Sequence, residues 1–164
     1  MIQTEFILIR YEEKEKARMA KVDKEIWIET PIEKIFGYIS DPRNLPEFWP
    51  SLMEIKDVQS LPDGGYSARW VYKMMGMRFD GTGKYTQIVP HQFFVIETEG
   101  GIRSKIAWTV RSWGNKTRVT LSIEYKIPIP LLGKLAEAII VKMNDHEGDL
   151  IMANLQARFM IANH

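Results

Sequence analysis

The chain has 164 residues and a formal net charge of +1, which suits one domain and provides no general electrostatic attraction to nucleic acid or to membranes. It contains no cysteine, so disulfides, thiolate metal sites and cysteine nucleophiles are excluded. No apolar run approaches the ~20 residues of a membrane-spanning helix, and no signal-peptide pattern is recognisable. We therefore expect a cytoplasmic protein with a single hydrophobic core.

Residues 1–18 are interpreted as an N-terminal extension, and the domain is expected to span residues 19–164. A short β-like run at residues 5–11 precedes a stretch dominated by Glu and Lys, and Met19 stands directly before the first strand. The extension is interpreted either as non-native or as an additional strand at a sheet edge. Both a monomer and a homodimer remain open, and an ordered strand here would favour the homodimer.

The first predicted strand, residues 22–29, is followed by two short helices. Thr30, Pro31 and Glu33 have the pattern of a capped helix N-terminus, which predicts a helix over residues 32–39. A second short helix is predicted from Asn44. Six further strands are predicted from apolar alternation between short turn sequences, at residues 53–61, 66–75, 77–89, 92–99, 102–113 and 116–127. Because the loops are short, the sheet is expected to be antiparallel.

The last segment, residues 131–162, predicts one long amphipathic helix without an internal proline, with Gly148 as the site of a kink. Its apolar stripe is assigned to residues at close to helical spacing: Leu132, Leu135, Ile139, Met143, Leu150 and Leu155. This stripe needs an apolar partner of similar length, which the strands supply. The sequence thus predicts an α+β helix-grip fold, in which a curved antiparallel sheet of about seven strands wraps around this helix and leaves a cavity.

Several motifs together resemble the START-like superfamily, also called SRPBCC or Bet v 1-like. The opening of that superfamily is similar to Thr30-Pro31-Ile32-Glu33-Lys34-Ile35-Phe36, Ile39-Ser40-Asp41-Pro42 and Leu45-Pro46-Glu47-Phe48-Trp49-Pro50. Its ending is similar to Thr117-Arg118-Val119-Thr120-Leu121 through Tyr125, followed by Pro128, Pro130-Leu131-Leu132-Gly133 and the long helix. The resemblance covers roughly residues 21–162 and favours the polyketide cyclase/dehydrase and coenzyme-Q-binding group. It implies a helix-grip fold with a hydrophobic cavity, in a superfamily whose members bind lipids, quinones, polyketides or hormones.

The aromatic face of the predicted sheet is the main candidate for a ligand site. Tyr and Trp combine apolar rings with a polar group that can orient a ligand, and methionine forms an adaptable wall. Nine residues are predicted to bind the ligand: Trp70, Tyr72, Met74, Phe79, Tyr85, Trp108, Met143, His146 and Leu150. The alternative is that these side chains simply fill the core.

His146 is the candidate for a catalytic general acid or base, because histidine titrates near neutral pH. The alternative is a solvated histidine on the flank of the helix. The three histidines are far apart in sequence, without a zinc-binding spacing, and Gly81-Thr82-Gly83 does not open a helix as a dinucleotide loop would. We therefore expect neither a metal nor a cofactor.

The leading functional prediction is the binding or transport of a hydrophobic small molecule, such as a lipid, an isoprenoid or quinone, or a polyketide-like aromatic. The alternatives are an enzyme of the cyclase/dehydrase type and a protein-interaction module. A transient contact with a membrane surface is suggested by the basic residues predicted on the outer face: Arg69, Lys73, Arg103, Lys105, Arg111, Arg118 and Lys126. Nucleic acid is not expected as a partner, because the aromatic side chains lie on the opposite face.

Overall fold

The computed structural model describes residues 2–17, 19–127 and 133–162, and the side chains of residues 2–13, 19–127 and 133–161. The α-helices of this described part are α1 (Ile2–Ala17), α2 (Ile32–Ile39) and α3 (Gly133–Ala162), and a 3₁₀-helix spans Pro42–Glu47. The strands are β1 (Met19–Ile28), β2 (Leu52–Ser60), β3 (Tyr66–Met74), β4 (Met77–Val89), β5 (Phe93–Gly100), β6 (Ser104–Trp113) and β7 (Lys116–Lys126).

The seven strands form one antiparallel sheet in the order β1-β7-β6-β5-β4-β3-β2. Strands β2 to β7 lie beside their sequence neighbours because short turns connect them. Strand β1 instead pairs with β7, in a register that aligns Met19 with Lys126 and Ile28 with Thr117. Helix α3 lies against β1 on the inner side of the sheet. The predicted helix-grip fold is confirmed.

Alternation along the strands places the apolar side chains on the inner face. In β7, Val119, Leu121, Ile123 and Tyr125 are buried, whereas Glu124 is exposed. Helix α2 covers one part of this face with three buried side chains, Ile35, Phe36 and Ile39. Helix α3 covers the face with Ile140, Ile151, Met152 and Leu155.

The predicted apolar stripe of α3 is wrong for most of its residues. Leu135, Ile139, Met143 and Leu150 are exposed, by 41–78%, and only Leu155 is buried as predicted; Leu132 lies outside the described residues. Apolar residues occur on several sides of this helix, so their spacing alone did not identify the inner side.

The inner side of α3 follows from close contact with β1. A Cβ atom added at Gly148 would lie 2.7 Å from Cγ1 of Val22 and 3.1 Å from two side-chain carbons of Lys24. Glycine at this position therefore allows the helix and the strand to approach each other closely, and α3 continues as one helix through it.

Three other local predictions differ from the structure. Residues 5–11 belong to helix α1 and form no edge strand; residues 12–16 of the same helix are all Glu or Lys, which are good helix formers. The N-cap of α2 is Pro31 rather than Thr30, and Pro31 has no side-chain cap hydrogen bond. The second short helix begins at Pro42, where Asp41 accepts a hydrogen bond from the Arg43 backbone N–H.

Whether residues 1–18 belong to the natural protein, and whether it is a monomer or a homodimer, stay predictions. None of the described helices combines the length and the apolar character that a membrane-spanning segment needs.

Candidate functional site

A cavity lies between the inner face of the sheet and α3. The empty space amounts to about 1000 Å³, including the part open to solvent. The aliphatic part of its wall comes from both the strands and α3, and includes Leu52, Ile55, Ile96, Ile106, Ile123 and Ile151. Ligand pockets of small molecules have this mostly apolar character.

The cavity exists because a row of small residues crosses four neighbouring strands. Ala68 of β3 is aligned with Gly83 of β4, Gly83 with Thr98 of β5, and Thr98 with Ser104 of β6. All four line the cavity. The hydroxyls of Thr98 and Ser104 hydrogen-bond to each other at 2.6 Å, so their polar atoms have partners. Larger side chains in this row would fill the space beneath α3.

Glu147 of α3 places a carboxylate at the cavity wall. Glu147 is only 9% exposed and lines the cavity. Oε1 accepts a hydrogen bond of 2.8 Å from the backbone N–H of Ser51, and Oε2 accepts one of 2.7 Å from the Tyr72 hydroxyl. Burial raises the pKa of Tyr72, and the negative charge of Glu147 raises it further. Tyr72 therefore remains a neutral hydrogen-bond donor.

Two more tyrosines line the cavity. The Tyr85 hydroxyl donates to the Ser40 carbonyl oxygen at 2.7 Å, and Tyr125 accepts from Asn144 Nδ2 at 2.9 Å. Burial is the main cause that raises the pKa of both tyrosines. Both phenols therefore stay protonated near neutral pH.

Trp70 contributes a polar atom that has no partner among the described residues. Its indole Nε1 is buried without a hydrogen bond. The ring packs over two glycines of β4, because a Cβ atom at Gly81 would lie 2.6 Å from Cζ2 of Trp70 and one at Gly83 would lie 3.7 Å from Cδ1. A buried indole N–H at a cavity wall is available to a ligand acceptor.

The structure brings four of the nine predicted ligand-binding residues to the cavity: Trp70, Tyr72, Met74 and Tyr85. Phe79 is partly buried and Trp108 fully buried, and both pack in the core without lining the cavity. Met143, His146 and Leu150 are exposed and do not line it. The expectation that His146 faces the sheet is therefore wrong, and the cavity wall contains no histidine among the described residues.

Sequence reasoning missed Asn144, Glu147 and Tyr125. Asn144 and Glu147 are three residues apart, which places them on one side of a helix, and Gly148 follows directly. Gly148 could have identified the inner side of α3, because a glycine inside a long helix often marks a close approach to another element. Placing Gly148 against the sheet would have turned Glu147 and Ile151 inward.

The outer face of the sheet carries charges of both signs. Lys105 is aligned with Glu97 of β5 on one side and with Glu124 of β7 on the other. Arg69 lies 3.8 Å from Asp57, and both side chains are exposed. The acidic residues weaken the basic character that the sequence suggested, and membrane-surface contact stays a prediction. Among the described residues, no group of three or more His, Cys, Asp or Glu side chains is placed to hold a metal ion.

Residues 19–160 match the sequence family described as polyketide cyclase / dehydrase and lipid transport. The chain belongs to this family. Its members bind hydrophobic small molecules, and the family covers both ligand binding and cyclase/dehydrase activity. The recognised resemblance to the START-like superfamily and its polyketide cyclase group is therefore confirmed. No curated protein sequence matches the chain.

Several solved structures share this fold. The protein TTHA0849 from Thermus thermophilus is 21% identical, with a TM-score of 0.76 over 88% of this chain and 99% of that chain. The Zhui aromatase/cyclase from Streptomyces sp. R1128 is 9% identical, with a TM-score of 0.75 over 89% and 96%. A START superfamily protein from Mycobacterium smegmatis is 12% identical, with a TM-score of 0.67 over 84% and 97%. At these identities the likeness shows a shared fold.

Proposed function

We propose that this family member binds and carries a hydrophobic small molecule, such as a lipid, an isoprenoid or quinone, or a polyketide-like aromatic, in the cavity beneath α3. The observation that carries the proposal is the row of Ala68, Gly83, Thr98 and Ser104 across the sheet. A domain selected only for stability would fill this space, because unfilled core volume is destabilising.

Binding would rest on removing apolar ligand surface from water, at about 25 cal/mol for each Å² buried. The wall offers few polar groups, and those of Tyr72, Tyr85 and Glu147 are held by hydrogen bonds to protein atoms. Such fixed groups orient a ligand without losing much conformational entropy on binding. Met74 at the wall suits an adaptable fit.

The test compares ligand binding by the wild type with ligand binding by a variant whose cavity is filled. Native and denatured masses of gently purified protein would reveal a bound molecule, and titration with the neutral apolar dye Nile red would measure binding directly. Ala68→Phe is expected to weaken Nile red binding at least tenfold, because the new ring occupies the space above the sheet. Thr82→Phe, on the exposed outer face, is the matched control and should bind as the wild type does. Equal binding by wild type and Ala68→Phe, with both folded, would contradict the proposal.

A second candidate function, proton transfer in a cyclase/dehydrase-type enzyme, is favoured by one observation. Glu147 places an ionisable group against the cavity, which His146 does not. A carboxylate there could remove a proton from the carbon between two ketone groups and leave an enolate. Deuterium exchange at that carbon of a bound diketone should then be faster with the wild type than with Glu147→Gln. Equal exchange rates would leave carrier function as the better account.

A further inference from the structure

We propose, building on the proposed function, that the cavity selects amphiphiles whose polar end donates a hydrogen bond, as an alcohol or an amine does, and rejects carboxylates. The site for this polar end is the carboxylate of Glu147 at the cavity wall.

Glu147 has unused hydrogen-bonding capacity. An ionised carboxylate can accept about four hydrogen bonds. Two are used, one by the Ser51 backbone N–H and one by the Tyr72 hydroxyl. The Glu147 carboxylate lines the cavity, so its remaining acceptor positions are open to a ligand there. A ligand that brings a donor would complete this set.

The cavity wall also lacks a positive charge among its described residues. No Lys, Arg or His is among the described residues that line it, and no such side chain lies within 4.0 Å of the Glu147 carboxylate. Lys24, the cation near this part of α3, is held by Asp145 at 3.1 Å and by Asp149 at 2.9 Å. A buried carboxylate without a counter-ion favours an incoming cation or neutral donor.

Ligands with acidic ends would be disfavoured at this wall. A carboxylate or phosphate ligand would meet Glu147 in surroundings of low dielectric, where repulsion between like charges is strong. It would find no cation at the described wall to compensate the loss of its hydration, since the unpartnered indole N–H of Trp70 is a neutral donor. Tyr72 cannot serve it freely, because its hydroxyl proton is already donated to Glu147. The charge of the wall thus discriminates by repulsion as well as by attraction.

The experiment uses three ligands that share one chain: decylamine, decanol and decanoate. Each competes with Nile red for the full-length protein below its micelle concentration at neutral pH. We expect decylamine and decanol to bind at least about tenfold more tightly than decanoate, since one hydrogen bond to a charged group accounts for such a ratio. The net charge of +1 would favour the opposite order. The preference should persist at high salt, because screening acts mainly on exposed charges.

Two variants test whether this ligand preference depends on the carboxylate of Glu147. Glu147→Gln should lower the preference of decylamine over decanoate to within about threefold, since the charge is lost while an amide oxygen still accepts. Asp145→Asn removes an equal charge two residues away, where the side chain is 56% exposed, and should leave the preference unchanged. If Glu147→Gln does not fold, the wild-type comparison of the three ligands still decides the proposal.

The outcomes distinguish a failure of the proposed selectivity from a failure of the proposed ligand binding. If Nile red binds but decanoate competes as well as decylamine, the cavity binds ligands and the selectivity is refuted. An equal shift in Asp145→Asn and Glu147→Gln would also refute it, by showing a surface effect. If neither Nile red nor any decyl ligand binds, the proposed function itself fails.

Discussion

The inner face of the sheet has a packed part and an open part, and two tryptophans show the contrast between them. Trp108 is fully buried, with its ring centroid 6.1 Å from that of Phe48 and 6.5 Å from that of Phe94. Trp70 lines the cavity and packs over Gly81 and Gly83. Both occupy inward positions of a strand, and both bury an indole N–H that has no partner within the described part of the chain. The residue type and its alternation therefore do not separate core from cavity.

The difference arises from what faces each ring. Around Trp108, helix α2 and the segment after it supply Phe36 and Phe48, which complete a network of ring contacts through Phe94. Around Trp70, the neighbouring strands supply small residues and α3 supplies Asn144 and Glu147. Tyr85 lies at the boundary, stacked on Phe94 at 5.3 Å while it also lines the cavity. The inner face is packed with aromatic rings on one side of this boundary and open on the other.

The sharpest test of this contrast compares Trp108→Ala with Trp70→Ala. Trp108→Ala should lower the free energy of unfolding by about 3–5 kcal/mol, because it leaves an enclosed void. Trp70→Ala should cost about 1–3 kcal/mol, since its void joins a cavity that already exists. Urea unfolding with an unchanged m-value measures both.

Nile red binding is the second readout for this pair. It should weaken more for Trp70→Ala than for a Trp108→Ala protein that is still folded. Equal stability losses with equal binding would mean that Trp70 is an ordinary core residue.

A loss of stability of intermediate size is expected from a substitution beneath Trp70, where Gly81 and Gly83 of β4 share one face. A Cβ atom at Gly81 would lie 2.0 Å from the Glu99 carbonyl oxygen, whereas the nearest atom to one at Gly83 is Cγ2 of Ile96 at 3.6 Å. Gly81→Ala should therefore cost about 1–3 kcal/mol of stability, as overpacking does. Gly83→Ala, the control, should change it by about 0.5 kcal/mol or less. Thermal and urea unfolding measure both, and equal losses would contradict the close packing of Trp70.

The smallest expected effect concerns Lys24, which ties β1 to α3 through Asp145 and Asp149. Lys24→Met should cost about 0.2–1 kcal/mol at neutral pH, because the two carboxylates are largely exposed. The hydrogen bond with Asp149 is the main cause that raises the pKa of Lys24 above its usual 10.5. A raised pKa means that the stabilisation is complete below the unfolded-state value and is lost as pH rises through the folded-state value.

The difference in unfolding free energy between wild type and Lys24→Met should accordingly stay constant from about pH 8 to about pH 10 and shrink as pH rises above 10.5. Urea unfolding of both proteins at each pH measures it. A difference that grows with pH would show that the ion pairs do not stabilise this contact.

Much of the fold could be predicted because its signals are local. The bounds of β4, Met77–Val89, and of α2, Ile32–Ile39, agree with the sequence prediction. Turn residues such as Gly76, with φ of 74°, mark where one strand ends and the next begins. The inner face of β7 follows from its strict alternation. The prediction for residues 5–11 failed because a short apolar run is compatible with both helix and strand.

The candidate site was only partly predictable. Trp70, Tyr72, Met74 and Tyr85 were found because strand alternation assigns them to the inner face. Glu147 and Asn144 were missed because the inner side of α3 was assigned from apolar spacing. In a helix with apolar residues on several sides, that spacing does not select one orientation.

The sequence alone determined the strands, their faces, the short helices and the presence of a long final helix, because each depends on neighbours within a few residues. The tertiary structure decided the pairing of β1 with β7, the rotation of α3 and the division of the inner face into core and cavity. These depend on distant contacts, such as Gly148 against Val22 and the alignment of Ala68, Gly83, Thr98 and Ser104 across four strands. Such contacts arise only when the chain closes around α3, since packing selects among orientations that local propensity leaves nearly equal in energy.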